Sequence, residues 1–132
     1  MAAIPDEAKH LLENQHFAHI ATINSDGTPQ VSPVWVGIDG DQVTFNTAEG
    51  RIKTKNLASN PAVAISIANQ ENPYESLIIQ GKVTEMTHDG ADEDIDALAK
   101  RYMGVDEYPL RQPGEERVIV KIEPEKVHHM NP

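Results

Sequence analysis

Apolar residues in this chain recur mostly at every second position, the spacing of strands with alternating faces, and the stretches near 5–14, 51–60 and 90–103 depart from it. "HFAHIATI" (16–23) sets Phe17, His19, Ala21 and Ile23 on one side and Ala18, Ile20 and Thr22 on the other, predicting a first strand with little exposed on either face. "NSDGTP" follows as a turn, because Asp-Gly readily takes the positive φ of a tight hairpin. "QVSPVWVGI" (30–38) predicts a second strand with Pro33 inside it. Having no amide proton for a ladder, Pro33 implies an edge, a bulge or a place where something other than a strand lies alongside. The turn "DGD" (39–41) returns the chain into a third strand, "QVTFNT" (42–47), antiparallel to the second. "AVAISIA" (62–68), "SLIIQGKVTEM" (76–86, bent near Gly81) and "RVIVKI" (117–122) predict three more, with the polar loop "NQENPYE" between the fourth and fifth.

The departures read as helices. From about Pro5 to Asn14, Pro5 suits an opening turn, Asp6 and Glu7 favour the positive N-terminal end, and Leu11 and Leu12 face inward. "RIKTKNLASN" predicts a short helix stopped before Pro61. Residues 90–103 carry Ile95, Leu98, Ala99 and Tyr102 at helical spacing, with acids crowding the start.

Six short strands joined by hairpins, with short peripheral helices, predict a mainly β (α+β) single domain over 1–132 whose antiparallel barrel occupies about 16–122. Strands and helices do not alternate as a parallel sheet requires, which argues against a doubly wound nucleotide-binding fold. A barrel this small is filled by its own side chains, so a ligand must sit outside it or between subunits.

Charge narrows the partners. With 21 Asp plus Glu against 11 Lys plus Arg, a net charge of −10 repels nucleic acid and anionic membrane, and neither is expected. The chain has no cysteine, which removes thiol catalysis, disulfides and thiolate metal sites together. "MAAIPDEAKHLLENQ" lacks the apolar core of a signal peptide and no run is long enough to span a membrane, so the expected location is the cytoplasm.

Against this acidity, "NTAEGRIKTKNLASNP" (46–61) gathers Arg51, Lys53 and Lys55 within five positions. The cluster fits a small anion such as a phosphate ester at a helix start, and it equally fits a solvated helix whose cations offset nearby acids. On a regular helix Arg51 and Lys53 lie about 200° apart, so the three converge only if Arg51 belongs to the preceding loop. The single tryptophan, Trp35, reads either as a core aromatic or as a surface for a flat ligand beside the proline-interrupted backbone. The six histidines show no converging metal set: His16 and His19 are three apart on an expected strand, and His128 and His129 lie in a polar tail. Asp92, Glu93, Asp94 and Asp96 read as a charge bias at a helix start, and no side-chain nucleophile or catalytic residue stands out. If the protein is an enzyme, a cofactor carries the reaction.

The segments "DGTPQVSPVWV", "FNTAEGRIKTKNLASNP" and "AKRYMGVDEYP", in this order, resemble the pyridoxamine 5'-phosphate oxidase-like split-barrel flavoproteins, and within them the branch that uses the deazaflavin coenzyme F-420. The likeness runs over roughly residues 8–127. It implies a six-stranded split β-barrel of the FMN-binding type and a homodimer with cofactor sites in the clefts between subunits. It further implies that Arg51 and Lys53 hold the cofactor phosphate, with Lys55 alongside or reaching the acidic tail of F-420. Ser32, Pro33, Val34 and Trp35 would line the tricyclic ring, Asn46 and Thr47 would finish the pocket, and Tyr74 would cover the ring from the partner subunit. The implied activity is hydride transfer from reduced F-420 to a conjugated small molecule of enone, quinone or tetrapyrrole type. Two alternatives stand beside it: an FMN-binding oxidoreductase of the same barrel, and a non-catalytic protein that binds F-420, flavin or haem.

Overall fold

The computed structural model describes residues 2–132. Seven strands form one antiparallel sheet: β1 (Ala18–Ile23), β2 (Pro29–Val34), β3 (Val36–Asp39), β4 (Gln42–Ala48), β5 (Ala62–Ala68), β6 (Ser76–Thr87) and β7 (Arg117–Met130). Helices α1 (His10–Glu13), α2 (Ile52–Ser59) and α3 (Ala91–Met103) lie around it. The strand order is β2-β1-β5-β6-β7-β4-β3. The expected turns form with Gly27 at φ +88° and Gly40 at φ +61°, and Asp26 fastens the first by accepting from the amide and hydroxyl of Thr28.

The expected second strand is two strands, which makes seven where six were expected. β2 pairs with β1 and β3 with β4, so the chain crosses at Trp35 from one end of the strand order to the other. Only one residue separates β2 from β3, so the sheet must curl until its two edges meet there. The result is a barrel split along that seam. Pro33 accordingly lies on an edge strand, opposite His19.

At the seam, Val36 needs partners that no neighbouring strand supplies. The end of α3 provides them. Tyr102 Oη accepts from the Val36 amide at 3.2 Å and donates to His16 O at 2.8 Å, while Arg101 Nη2 donates to the Val36 carbonyl. Arg101 Nη1 also donates to the carbonyls of Leu12 and Glu13. Tyr102→Phe, which removes an acceptor and a donor at once, should lower stability by about 1–2 kcal/mol, read as a shifted urea midpoint.

Alternation sorts the side chains of the sheet. Val43 and Phe45 of β4 and Val118, Val120 and Ile122 of β7 point into the filled interior with Ile20, Ile65, Ile67, Leu77 and Ile79. Asn46 and Arg117 therefore belong to the outer face, where α3 packs on β4 and β7 through its own buried Ile95, Leu98 and Ala99. The expected first helix is shorter than 5–14: a 3-10 turn covers Asp6–Ala8 and α1 only four residues. Its apolar side still forms, because Ile4, Ala8, Leu11 and Leu12 join the core.

The last strand reaches Met130, well past the expected end at 122, because β6 is long enough to pair with it throughout. His128 and His129 thus sit on a strand and not in a polar tail. β6 is irregular at Gly81 as expected. A Cβ there would lie 2.4 Å from Glu123 O, so only glycine lets the two backbones approach this closely. No helix among the described residues is long and apolar enough to cross a membrane.

Candidate functional site

On the outside of the barrel, next to the seam, lies a solvent-open pocket of about 200 Å³. Phe17, Pro33, Val34 and Trp35 form one wall, Asn46, Thr47 and Ile95 the base, and Tyr108 and Leu110 reach in from the loop between α3 and β7. Arg51, Lys53 and Arg117 bring three cations to it.

The loop before α2 decides which cations can converge. Arg51 is extended (φ −71°, ψ 149°), outside the helix, and its amide donates to Ala48 O at 3.3 Å. Lys53 lies in the first turn of α2 and shares the pocket with Arg51. Lys55, about 200° further round the helix, turns away into a separate groove with Asn24, Ile52 and Asn60. Among the described residues the lysines and arginines paired to acids are Lys9, Lys82, Arg111, Arg117 and Lys121; Arg51, Lys53 and Lys55 are not among them. The Lys53 ammonium is pushed below the usual lysine range, first by burial and then by the charges of Arg51 and Arg117. An incoming anion would offset the repulsion from the two arginines.

The base of the pocket is rigid. Thr54 Oγ1 donates to Ala48 O at 2.8 Å, so in the 3.1 Å contact between Thr47 and Thr54 it is Thr47 that supplies the proton. Asn46 Nδ2 donates to Ala91 O and to Asp94 Oδ2, both at 2.9 Å, and Asn46 Oδ1 accepts from Arg117 Nε at 2.9 Å. Both amide protons of Asn46 are thus committed. Its part in the site is to hold Arg117.

Aromatic rings build the wall. Trp35 stacks on Tyr102 with centroids 5.2 Å apart and planes 8° from parallel, and Tyr108 meets it edge-on at 5.9 Å. One face of Trp35 is therefore covered by the protein itself. The Tyr108 loop is pinned to α3, since Asp96 accepts from the Tyr108 amide and Arg111 bridges Asp92 and Asp96. The acids at the start of α3, expected only to favour a helix N-terminus, also anchor this loop and Asn46.

Of the expected site residues, Pro33, Val34, Trp35, Asn46, Thr47, Arg51 and Lys53 come together in the pocket. Ser32 stands beside it on β2, with its Oγ buried and without a partner. Tyr74 is 74% exposed on the loop between β5 and β6 and does not line the pocket of its own chain. Sequence reading missed Arg117, Tyr108, Phe17, Ile95 and Leu110. A charge opening the apolar run "RVIVKI" and an aromatic in the Gly- and Pro-punctuated "GVDEYP" were the available signals for the first two. No group of three His, Asp or Glu able to hold a metal occurs among the described residues.

A curled antiparallel sheet split at one seam, with a cationic and aromatic pocket on its outer face, is the architecture of flavin-type split-barrel oxidoreductases. The chain belongs to the pyridoxamine 5'-phosphate oxidase family, whose sequence profile matches residues 4–131. Among solved structures, an F420 reductase is 33% identical over 95% of this chain and 98% of its own, with a TM-score of 0.82. HupZ of Group A Streptococcus (22% identity, 96% and 93% covered, TM-score 0.69) and general stress protein 26 of Bacillus anthracis (16% identity, 96% and 93% covered, TM-score 0.71) share the fold. No curated protein matches the chain.

Proposed function

We propose that this protein is an F-420-dependent reductase, binding the deazaflavin in the pocket beside Trp35 and passing a hydride to a conjugated, electron-poor small molecule such as an enone, a quinone or a tetrapyrrole. The observation that carries the proposal is the pairing of an aromatic wall with cations that have no acid of their own, Arg51 and Lys53, on one pocket. This donor set suits a flat ring bearing a phosphate. The 33% identity to an F420 reductase points the same way. When bound, the reduced deazaflavin supplies the hydride at C5. The chain's own residues bind and orient: Arg51 and Lys53 hold the anion, while Pro33, Val34 and Trp35 present backbone and an apolar edge to the ring. Family membership supports FMN as the second candidate, because its single phosphate would meet the same cations.

Two chains would complete the site. Phe17 is 46% exposed although it lines the pocket, Val31 is 63% exposed on edge strand β2, and exposed Tyr74 does not line the pocket of its own chain. In a homodimer Tyr74 would serve the partner's pocket. Trp35 is the sole tryptophan, so its fluorescence reports the site directly. Titration with F-420 should quench it at lower concentration than titration with FMN; quenching by FMN alone would transfer the assignment to a flavin. Oxidation of reduced F-420 by a panel of enones and quinones then separates an enzyme from a carrier, and sedimentation checks the dimer.

A further inference from the structure

Arg117 opens an apolar strand on its outward side, and only 6% of it is exposed. Its Nε donates to Asn46 Oδ1 at 2.9 Å and its Nη1 to Glu115 Oε1 at 3.0 Å, while Nη2 has no protein partner among the described residues. That nitrogen is not sealed inside the protein, because the buried side-chain polar atoms without partners are Ser32 Oγ and Arg101 Nε. Arg117 lines the pocket, so a ligand bound there comes within reach of this free N–H. The fork is also held in place: Tyr108 lies across it, 5.2 Å from guanidinium carbon to ring centroid, and Asn46 is tied to α3. Across the ladder Arg117 pairs with Ala48, whose carbonyl accepts the Arg51 amide, so the buried and the exposed guanidinium groups flank the same end of β4.

We propose that Arg117 binds the ligand, its Nη2 donating to the anionic group that Arg51 and Lys53 also approach, and that this contact sets the preference for phosphate-bearing over phosphate-free deazaflavins. The proposal rests on the pocket being the cofactor site. Position gives Arg117 more weight than Arg51: an exposed charge is screened and must be ordered on binding, whereas a buried guanidinium already fixed by two hydrogen bonds donates without reorganising.

The test compares F-420 with its phosphate-free deazaflavin nucleoside, titrated against wild type, Arg117→Gln and Arg51→Gln by Trp35 fluorescence, with circular dichroism checking the fold. Arg117→Gln should weaken F-420 binding roughly 10- to 100-fold and leave the nucleoside within about twofold, with Arg51→Gln losing less. Equal losses for both ligands, unchanged F-420 affinity, or a larger loss in Arg51→Gln would overturn the role of Arg117 and leave the cofactor site standing. A wild type that binds the two ligands equally would overturn the phosphate contact alone, and one that binds neither would overturn both. Because Arg117→Gln also breaks a buried pair with Glu115, the wild-type protein with isotope-labelled arginine supplies a second measurement. By NMR the Arg117 Nε–H resonance should shift with F-420 and not with the nucleoside; an unmoved resonance, or equal shifts, would reject the contact.

Discussion

Replacing Glu75 with alanine should cost about 3 kcal/mol of stability, read from urea unfolding at neutral pH. Glu75 is 4% exposed, and its carboxylate faces three side chains: Asn69 Nδ2 at 2.9 Å, His129 Nε2 at 2.8 Å and His10 Nε2 at 3.1 Å. Asn69 directly follows β5, His129 lies on β7 and His10 on α1, so one carboxylate ties α1, whose Leu11 and Leu12 join the core, to the last strand. Removing it strands several donors at once. Hydrogen bonds from Asn69 and then His129, with His10 behind them, hold the Glu75 pKa down at about 2 from an ordinary 4.5. The folded pKa lies below the unfolded one, so this contribution is complete above about 4.5 and is lost as pH falls towards 2. Glu75→Gln should flatten the acid limb of the stability curve in that window; a limb as steep as wild type would dissociate Glu75 from acid unfolding.

Glu75 also marks where sequence reading stopped. The loop "NQENPYE" and the tail after 122 both read as polar, because neither shows an apolar period, yet the loop supplies Asn69 and Glu75 and the tail His129 to one buried cluster. Contacts between residues 54 positions apart leave no local trace. What could be read was local: strand alternation, Asp-Gly turns, the α3 stripe, and the rule that Arg51 must leave the helix if it is to join Lys53. Pro33 signalled an edge, but the break came two residues later at Trp35, since proline removes one ladder bond while the crossing between sheet edges is set by the closure of the whole barrel. Arg117 was hidden for a related reason. Period-two alternation places it outside the barrel, and only the packing of α3 on that face turns an outside position into a buried one.

Lys53→Met should weaken F-420 binding by about 1.5–3 kcal/mol and, at alkaline pH between the free-state and bound-state pKa values of Lys53, remove the proton uptake that accompanies binding in the wild type. In the free protein, burial and then Arg51 and Arg117 lower the pKa of Lys53 below 10.5, so its charged form is disfavoured in the fold. That penalty is complete below the lowered pKa and is relieved as pH rises from there to 10.5, so wild-type stability should climb across this window and that of Lys53→Met should not. An anion held against the ammonium favours the protonated form and raises its pKa again. Affinity for F-420 is then highest below the free-state pKa and falls as pH rises from that value to the bound-state pKa, a decline that starts earlier than an ordinary lysine would give. Calorimetric titration in two buffers of different ionisation enthalpy measures the proton uptake directly. If Lys53→Met binds as tightly as wild type, the phosphate lies elsewhere; if it binds weakly but the proton uptake persists, the group that titrates is not Lys53.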